Sequence, residues 1–234
     1  MPTQTQVESN QLMHEALRNL SFLRTSTEDE IKYLAINSNL IKSSRYEIIY
    51  HRGDPSLSLY VVLSGIVKVS AHSVMAKEVI RSIVHANMIF GEGSVTGEIE
   101  RSAMAQAMDK RSEIVEINAR AFKKVMLQNG AVALDFANIV GNKLRANQSR
   151  LESIIVEDAR TRVINFLKEN AQSYGNKVGF NELLLKHSFT QQDIADFTGT
   201  SRQTVTTVLN DLKRSNIISL KRRRILIRDF ALLT

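Results

Sequence analysis

The sequence predicts an α+β chain in three parts: an N-terminal antiparallel β-barrel, a long helix, and a C-terminal winged helix-turn-helix. Three patterns predict it. Short apolar runs with turn residues between them crowd the stretch from Tyr46 to Ile117. Ala133, Ala137, Val140, Leu144, Asn147, Leu151 and Ile154 then step alternately by four and three, a coiled-coil seam. Beyond them, Gly199 splits two helical patterns that end in a basic, strand-like tail.

A chain of 234 residues is long enough for two domains with real cores. It contains no cysteine, so disulfides, thiolate catalysis and thiolate-held iron–sulfur clusters are excluded. The N-terminus lacks a signal-peptide core and no apolar run reaches the length of a membrane span, which fits a cytoplasmic protein. His14, His51, His72, His85 and His187 are scattered without ligand spacing, so no metal site is expected. With no nucleophile–base pair, metal set or Walker-type loop, an enzyme is the class the sequence supports least.

In chain order, residues 11–43 read as helical, with Leu12, Ala16, Leu20, Ile31, Leu34 and Leu40 at apolar positions. Strands follow at Ile48–Tyr50, Leu59–Leu63, Ile66–Val69, Glu78–Val84 and Ser112–Ile117; the hairpin connection over 71–77 has neither Gly nor Pro. The helical period returns near residue 119. The seam needs a partner, most simply a second copy, although it could instead pack on its own barrel. Asp158, in Glu157-Asp158-Ala159, can cap the helix carrying Val163, Ile164, Phe166 and Leu167. The expected domains are 1–129, 130–158 (dimerisation helix and hinge) and 159–234.

Thr190 to Leu212 reads as helix, turn and helix. Thr190 is an N-cap with Asp193 three residues on, and Ser201 can cap the second helix. Val205, Val208, Leu209 and Leu212 form one buried stripe. Arg202, Gln203, Thr206 and Thr207 are left to face outward, as in a recognition helix whose N-terminal side chains meet base edges in a major groove. An ordinary hairpin with a polar outer face has the same pattern. Charge favours nucleic acid: residues 1–159 hold 18 Lys/Arg against 18 Asp/Glu, while residues 160–234 hold 13 against 6. Lys221, Arg222, Arg223 and Arg224, between two short apolar strands, read as the tip of a wing reaching phosphates, or as a solvated turn.

Between the strands lies Phe90-Gly91-Glu92-Gly93, followed by Glu100-Arg101-Ser102-Ala103. Glycines permit a tight turn and close ligand approach. A short helical turn after Gly91 would aim N–H groups at an anion. Arg101 offers a charged fork for phosphate oxygens and Ser102 one more donor. Glu92 can only accept, which suits a sugar hydroxyl. Together these match a cyclic nucleotide; Glu92 and Arg101 could also form a plain ion pair.

The arrangement resembles the CRP/FNR family of bacterial transcription regulators across nearly the whole chain. Arg52-Gly53-Asp54 and Leu59–Val62 with Gly65 look like its first hairpin turns, the Gly91–Ala103 stretch like its phosphate-binding cassette, and Thr190–Leu212 like its helix-turn-helix. The resemblance implies a homodimer on pseudo-palindromic double-stranded DNA, contact with RNA polymerase, and cyclic AMP or another cyclic nucleotide as effector at Gly91, Glu92, Gly93, Arg101 and Ser102. It implies a guanine contact for Arg202, with Thr190, Gln191, Ser201, Gln203, Thr206 and Thr207 beside it. Gln203 stands where relatives often carry Glu, and Thr207 where they often carry Arg, so a different target site is expected. Gly93 replaces a usual apolar residue. Asn147 and Gln148 replace small hydroxyl residues against the base; Asn147 either contacts the nucleobase or sets dimer register. Some branches of the family sense other ligands, or none.

Overall fold

The computed structural model describes residues 4–72 and 77–233. The chain divides into two compact units, one containing most of the chain up to Ala146, the other containing Asn147 onward.

In the first unit, helix α1 (Gln4–Arg18) leads through a single 3-10 turn at Ser21–Leu23 to α2 (Glu28–Ile36). A capping box starts α2: the Thr27 side chain accepts from the Glu30 amide, and Glu30 accepts from the Thr27 amide. The expected helical stretch over 11–43 therefore ends early. Leu40 lies on strand β1 (Ser38–Ser43), and Leu12 is exposed rather than buried. Asn37 and Ser38 return hydrogen bonds to the Tyr33 and Leu34 carbonyls, ending the helix without a glycine.

Strands β2 (Ile48–Tyr50), β3 (Ser58–Ser64), β4 (Val67–His72), β5 (Glu78–Val84), β6 (Ile89–Phe90), β7 (Met104–Ala107) and β8 (Ser112–Asn118) complete two four-stranded antiparallel sheets. One has the order β1-β8-β3-β6, the other β2-β7-β4-β5, so the barrel consists of two sheets facing one core. Most of the connection expected over 71–77 lies outside the described residues. Strands β1, β6 and β7 were not foreseen; β6 and β7 are too short to carry a period of their own.

Strand β3 shows why its sequence is a continuous apolar run. Tyr60 and Val62 enter the core between the sheets with Tyr50, Val67, Phe90 and Ile114. Leu59 and Val61 face the opposite way, joining Leu17, Leu23, Ile31, Leu34 and Phe122 under the helices. A strand buried on both faces cannot alternate with polar residues. Helix α3 (Gly93–Thr96) is a single turn, α4 (Ala119–Gln128) closes the sheet region, and α5 (Gly130–Val156) runs for 27 residues. Val132 and Phe136 bury the first turns of α5 against the helical core, while Leu144, Leu151, Ile155 and Val156 are exposed.

In the second unit, Asp158 caps α6 (Ala159–Tyr174) by accepting from the Thr161 amide. Strands β9 (Asn176–Lys177) and β10 (Leu183–Lys186), both unforeseen, extend the wing to a four-stranded sheet of order β11-β12-β10-β9, with β11 (Ile218–Lys221) and β12 (Arg224–Ile227). Phe166 centres the packing, with Phe189 and Phe197 rings at 5.5 and 5.2 Å.

Candidate effector cassette and nucleic-acid interface

Helices α7 (Gln191–Thr198) and α8 (Arg202–Arg214) form the helix-turn-helix. Thr190 and Asp193 make a reciprocal capping box, so the polar groups at the entry to α7 satisfy one another. Gly199 ends α7 in the left-handed region at φ 65°, where a side chain would strain the backbone. Ser201 then accepts from the Thr204 amide to start α8. The turn is also clamped by Arg162, whose guanidinium donates to the Thr198, Gly199 and Glu157 carbonyls.

The α8 stripe is buried as its spacing predicts: Val205, Val208, Leu209 and Leu212. That burial turns Arg202, Gln203 and Thr207 to solvent, with Thr206 half-buried. Thr206 donates to Gln191 Oε1 at 2.6 Å, tying the two helices together beside the outward face. Asn210 and Lys213 continue that face. Sequence reasoning missed both, though they follow Gln203 and Thr206 by seven residues, two helical turns along.

At the wing, Lys221 and Arg224 are the paired ends of β11 and β12, leaving Arg222 and Arg223 as a two-residue turn. Arg223 is left-handed at φ 59°, and its carbonyl accepts from the His187 amide. Lys221, Arg222 and Arg224 are exposed, and Arg223 is partly so.

The cassette is organised differently. Gly91 is left-handed at φ 70°, and a Cβ there would lie 2.9 Å from both Arg101 Nη1 and the Tyr60 ring. This close approach lets Arg101 fold inward. Its side chain is 2% exposed; it donates to the Gly91 and Ser58 carbonyls and lies 4.4 Å over the Tyr50 ring. Its Nε is buried without a hydrogen-bond partner. Burial pushes the Tyr60 hydroxyl up to about 12, with the Glu116 carboxylate adding to the shift.

Glu92 accepts from Lys143 Nζ at 2.8 Å, and Lys143 also donates to the Ile89 carbonyl. Lys143 was not foreseen as a site residue, because 51 positions of sequence separate it from Glu92. The amides of Ser94, Val95 and Thr96 donate to the Gly91 and Glu92 carbonyls, so the α3 turn closes on itself rather than presenting those N–H groups. The Ser102 hydroxyl accepts from Arg81 at 3.0 Å, and its amide donates to Glu98 at 2.9 Å. Asn147 and Gln148 on α5 are exposed. The residues present offer a nucleotide an acceptor, a guanidinium and a hydroxyl, each already holding an internal partner.

Residues 41–129 match the family described as cyclic nucleotide-binding domain, and residues 161–234 the Crp-like helix-turn-helix domain. The cyclic AMP receptor protein of Thermus thermophilus is 28% identical over 186 residues, covering 79% of this chain and 82% of that protein. The anaerobic regulatory protein of Bacillus subtilis (strain 168) is 24% identical over 179 residues, covering 76% and 75%. The solved structure of FixK2 from Bradyrhizobium japonicum has the same fold, with a TM-score of 0.74 at 19% identity, over 84% of this chain and 95% of that one. The chain belongs to the CRP/FNR family of transcription regulators. It is a DNA-binding regulator with a cyclic nucleotide-binding domain. No helix among the described residues is long and apolar enough to cross a membrane.

Proposed function

We propose that the protein is a homodimeric, sequence-specific regulator acting in the cytoplasm, controlled by an anionic effector in the cassette. The observation that carries the DNA assignment is the outward face of α8, where Arg202, Gln203 and Thr207 are exposed on a helix held by a capped turn. Arg202 is the guanine reader, through the bidentate geometry of a guanidinium on a base edge. Gln203, Thr206 and Thr207 set the neighbouring preference. Thr190, Gln191 and Ser201 stand at the helix starts, where side chains and amides meet phosphates. Lys221, Arg222, Arg223 and Arg224 serve phosphates beside the groove.

Helix α5 supplies the dimer contact. Leu144, Leu151 and Ile154 repeat along it and are exposed in the single chain, a stripe that a second copy would cover. Asn147, exposed within that stripe, sets register or meets the nucleobase, with Gln148 beside it. Two recognition helices would then read successive major grooves about 34 Å apart. We take 1–129 as sensor, 130–158 as dimer helix and hinge, and 159–234 as DNA module, with RNA polymerase as the further partner. Effector binding shifts the population toward one spacing of the two modules.

A second reading has a specific observation behind it: Arg101 and Glu92 are both engaged internally, as in a regulator that keeps the cassette as scaffold. Selection of bound sequences from a random duplex pool, with and without cyclic AMP, tests both. Enrichment of a two-fold site only with nucleotide supports effector control. Equal enrichment without it supports the scaffold reading. No enrichment in either case overturns sequence-specific binding, and a monomer on sedimentation overturns the dimer.

A further inference from the structure

The Glu98 carboxylate sits where three anion donors converge. The Ser102 amide donates to Oε1 at 2.9 Å, the Ser56 hydroxyl donates to Oε2 at 3.1 Å, and Arg101 Nη1 lies 3.9 Å from Oε2. An amide, a hydroxyl and a guanidinium around one anion are the donor set that also holds a phosphate. Burial alone would push the Glu98 carboxyl up, but hydrogen bonds from the Ser102 hydroxyl and amide and from Ser56, with the Arg101 charge, bring it below the usual carboxylate range. The group is therefore a fixed negative charge.

Gly93 carries the second observation. Its backbone is not left-handed, so no turn geometry demands glycine there. Space does: a Cβ would overlap Glu98 Oε2 and lie 2.7 Å from Cδ and 2.9 Å from Cβ of the same side chain. The Glu98 amide also donates to the Gly93 carbonyl at 2.8 Å, which holds the backbone of the two residues in register. Glu92, a second cassette acid, is drawn off by Lys143.

We propose that Glu98 is a built-in competitor for the anion position of the cassette, seated there because residue 93 is glycine. A cyclic phosphate enters only by displacing it, since two negative charges cannot share the same donors. Glu98 thus sets the effector threshold. Displacement frees the Ser102 amide, while the unpartnered Arg101 Nε is a further donor available to the incoming phosphate. This rests on the cassette being an effector site, as proposed above.

The test is calorimetric titration of the full chain with cyclic AMP and with cyclic GMP. The variants are wild type, Glu98→Gln, Gly93→Ala, the double substitution, and Arg101→Ala, each checked for cooperative melting. Glu98→Gln removes the charge but keeps the shape, and should tighten nucleotide binding at least tenfold. Gly93→Ala pushes the carboxylate aside without removing it, and should tighten binding in the same direction. The double variant should bind no more tightly than Glu98→Gln alone, because both changes relieve one contact. Should Glu98→Gln not fold, Gly93→Ala carries the test alone. Unchanged or weaker binding in both single variants, with binding lost in Arg101→Ala, overturns the competitor and leaves the effector site standing. No binding in any variant overturns the effector site and the competitor with it.

Discussion

The helix-turn-helix and the cassette each hold an arginine at the position proposed for recognition, in opposite ways. Arg202 stands exposed at the first turn of α8, on a helix whose other face is buried by Val205, Val208, Leu209 and Leu212. Arg101 lies against Tyr50 and Tyr60, donating to two carbonyls of its own chain. A side chain meant for a surface partner is offered by burying its neighbours. A guanidinium enclosed within a domain needs partners at once, because an unpaired buried charge is far costlier than a paired one. The α8 face is thus exposed in the single chain, whereas an effector entering the cassette as proposed would have to exchange internal partners for external ones.

The comparison breaks most completely at Phe166, which supports the DNA surface without touching it. Phe166→Ala should cost about 3–5 kcal/mol in the stability of the second unit and abolish binding to every DNA sequence, as read by chemical denaturation and gel shift. If that variant binds normally, the recognition face does not depend on its core. Next in size is Arg202→Ala, expected to weaken binding to a selected site by about 1–3 kcal/mol while sparing non-specific binding. An equal loss on all sequences would make Arg202 a phosphate contact instead. Replacing Arg222 and Arg223 together by Ala should lower affinity for all sequences and flatten the salt dependence by roughly 0.9 for each phosphate no longer neutralised. A retained slope on a log–log salt titration removes the wing tip from the interface.

The smallest effect concerns acidity. Burial lowers the His187 pKa below its ordinary value of 6.5, while the Phe189 backbone hydrogen bond partly opposes the shift. The unfolded chain then binds a proton that the folded chain refuses. Stability should therefore fall as pH drops from about 6.5 toward the folded-state pKa. His187→Gln should flatten that part of the curve; an identical pH profile would show that another group carries it.

The legible parts of the molecule were those with a local signal. The α8 stripe, the caps at Thr190, Ser201 and Asp158, and the Gly199 turn all lie within a few residues of the groups they organise, and each appears as expected. Strands β1 and β10 were missed because their neighbours supply what their own period does not. Leu40 pairs with Val115, and Leu184 with Leu226, across long stretches of chain. The cassette motif was visible as a set of residue types, but its partners were not. Lys143 meets Glu92 across 51 positions, and Ser58 accepts from Arg101 across 43.

The sequence alone was enough for the basic module, the α8 stripe and the caps of the C-terminal helices, because charge, periodicity and capping act over one or two turns. Tertiary structure alone decided which partner each cassette charge takes. It drew Arg101 into the tyrosine layer, set Glu92 against Lys143, and seated Glu98 over Gly93 on the Ser102 amide. Those choices follow from which charges burial brings within hydrogen-bond reach, a distance the linear chain does not specify.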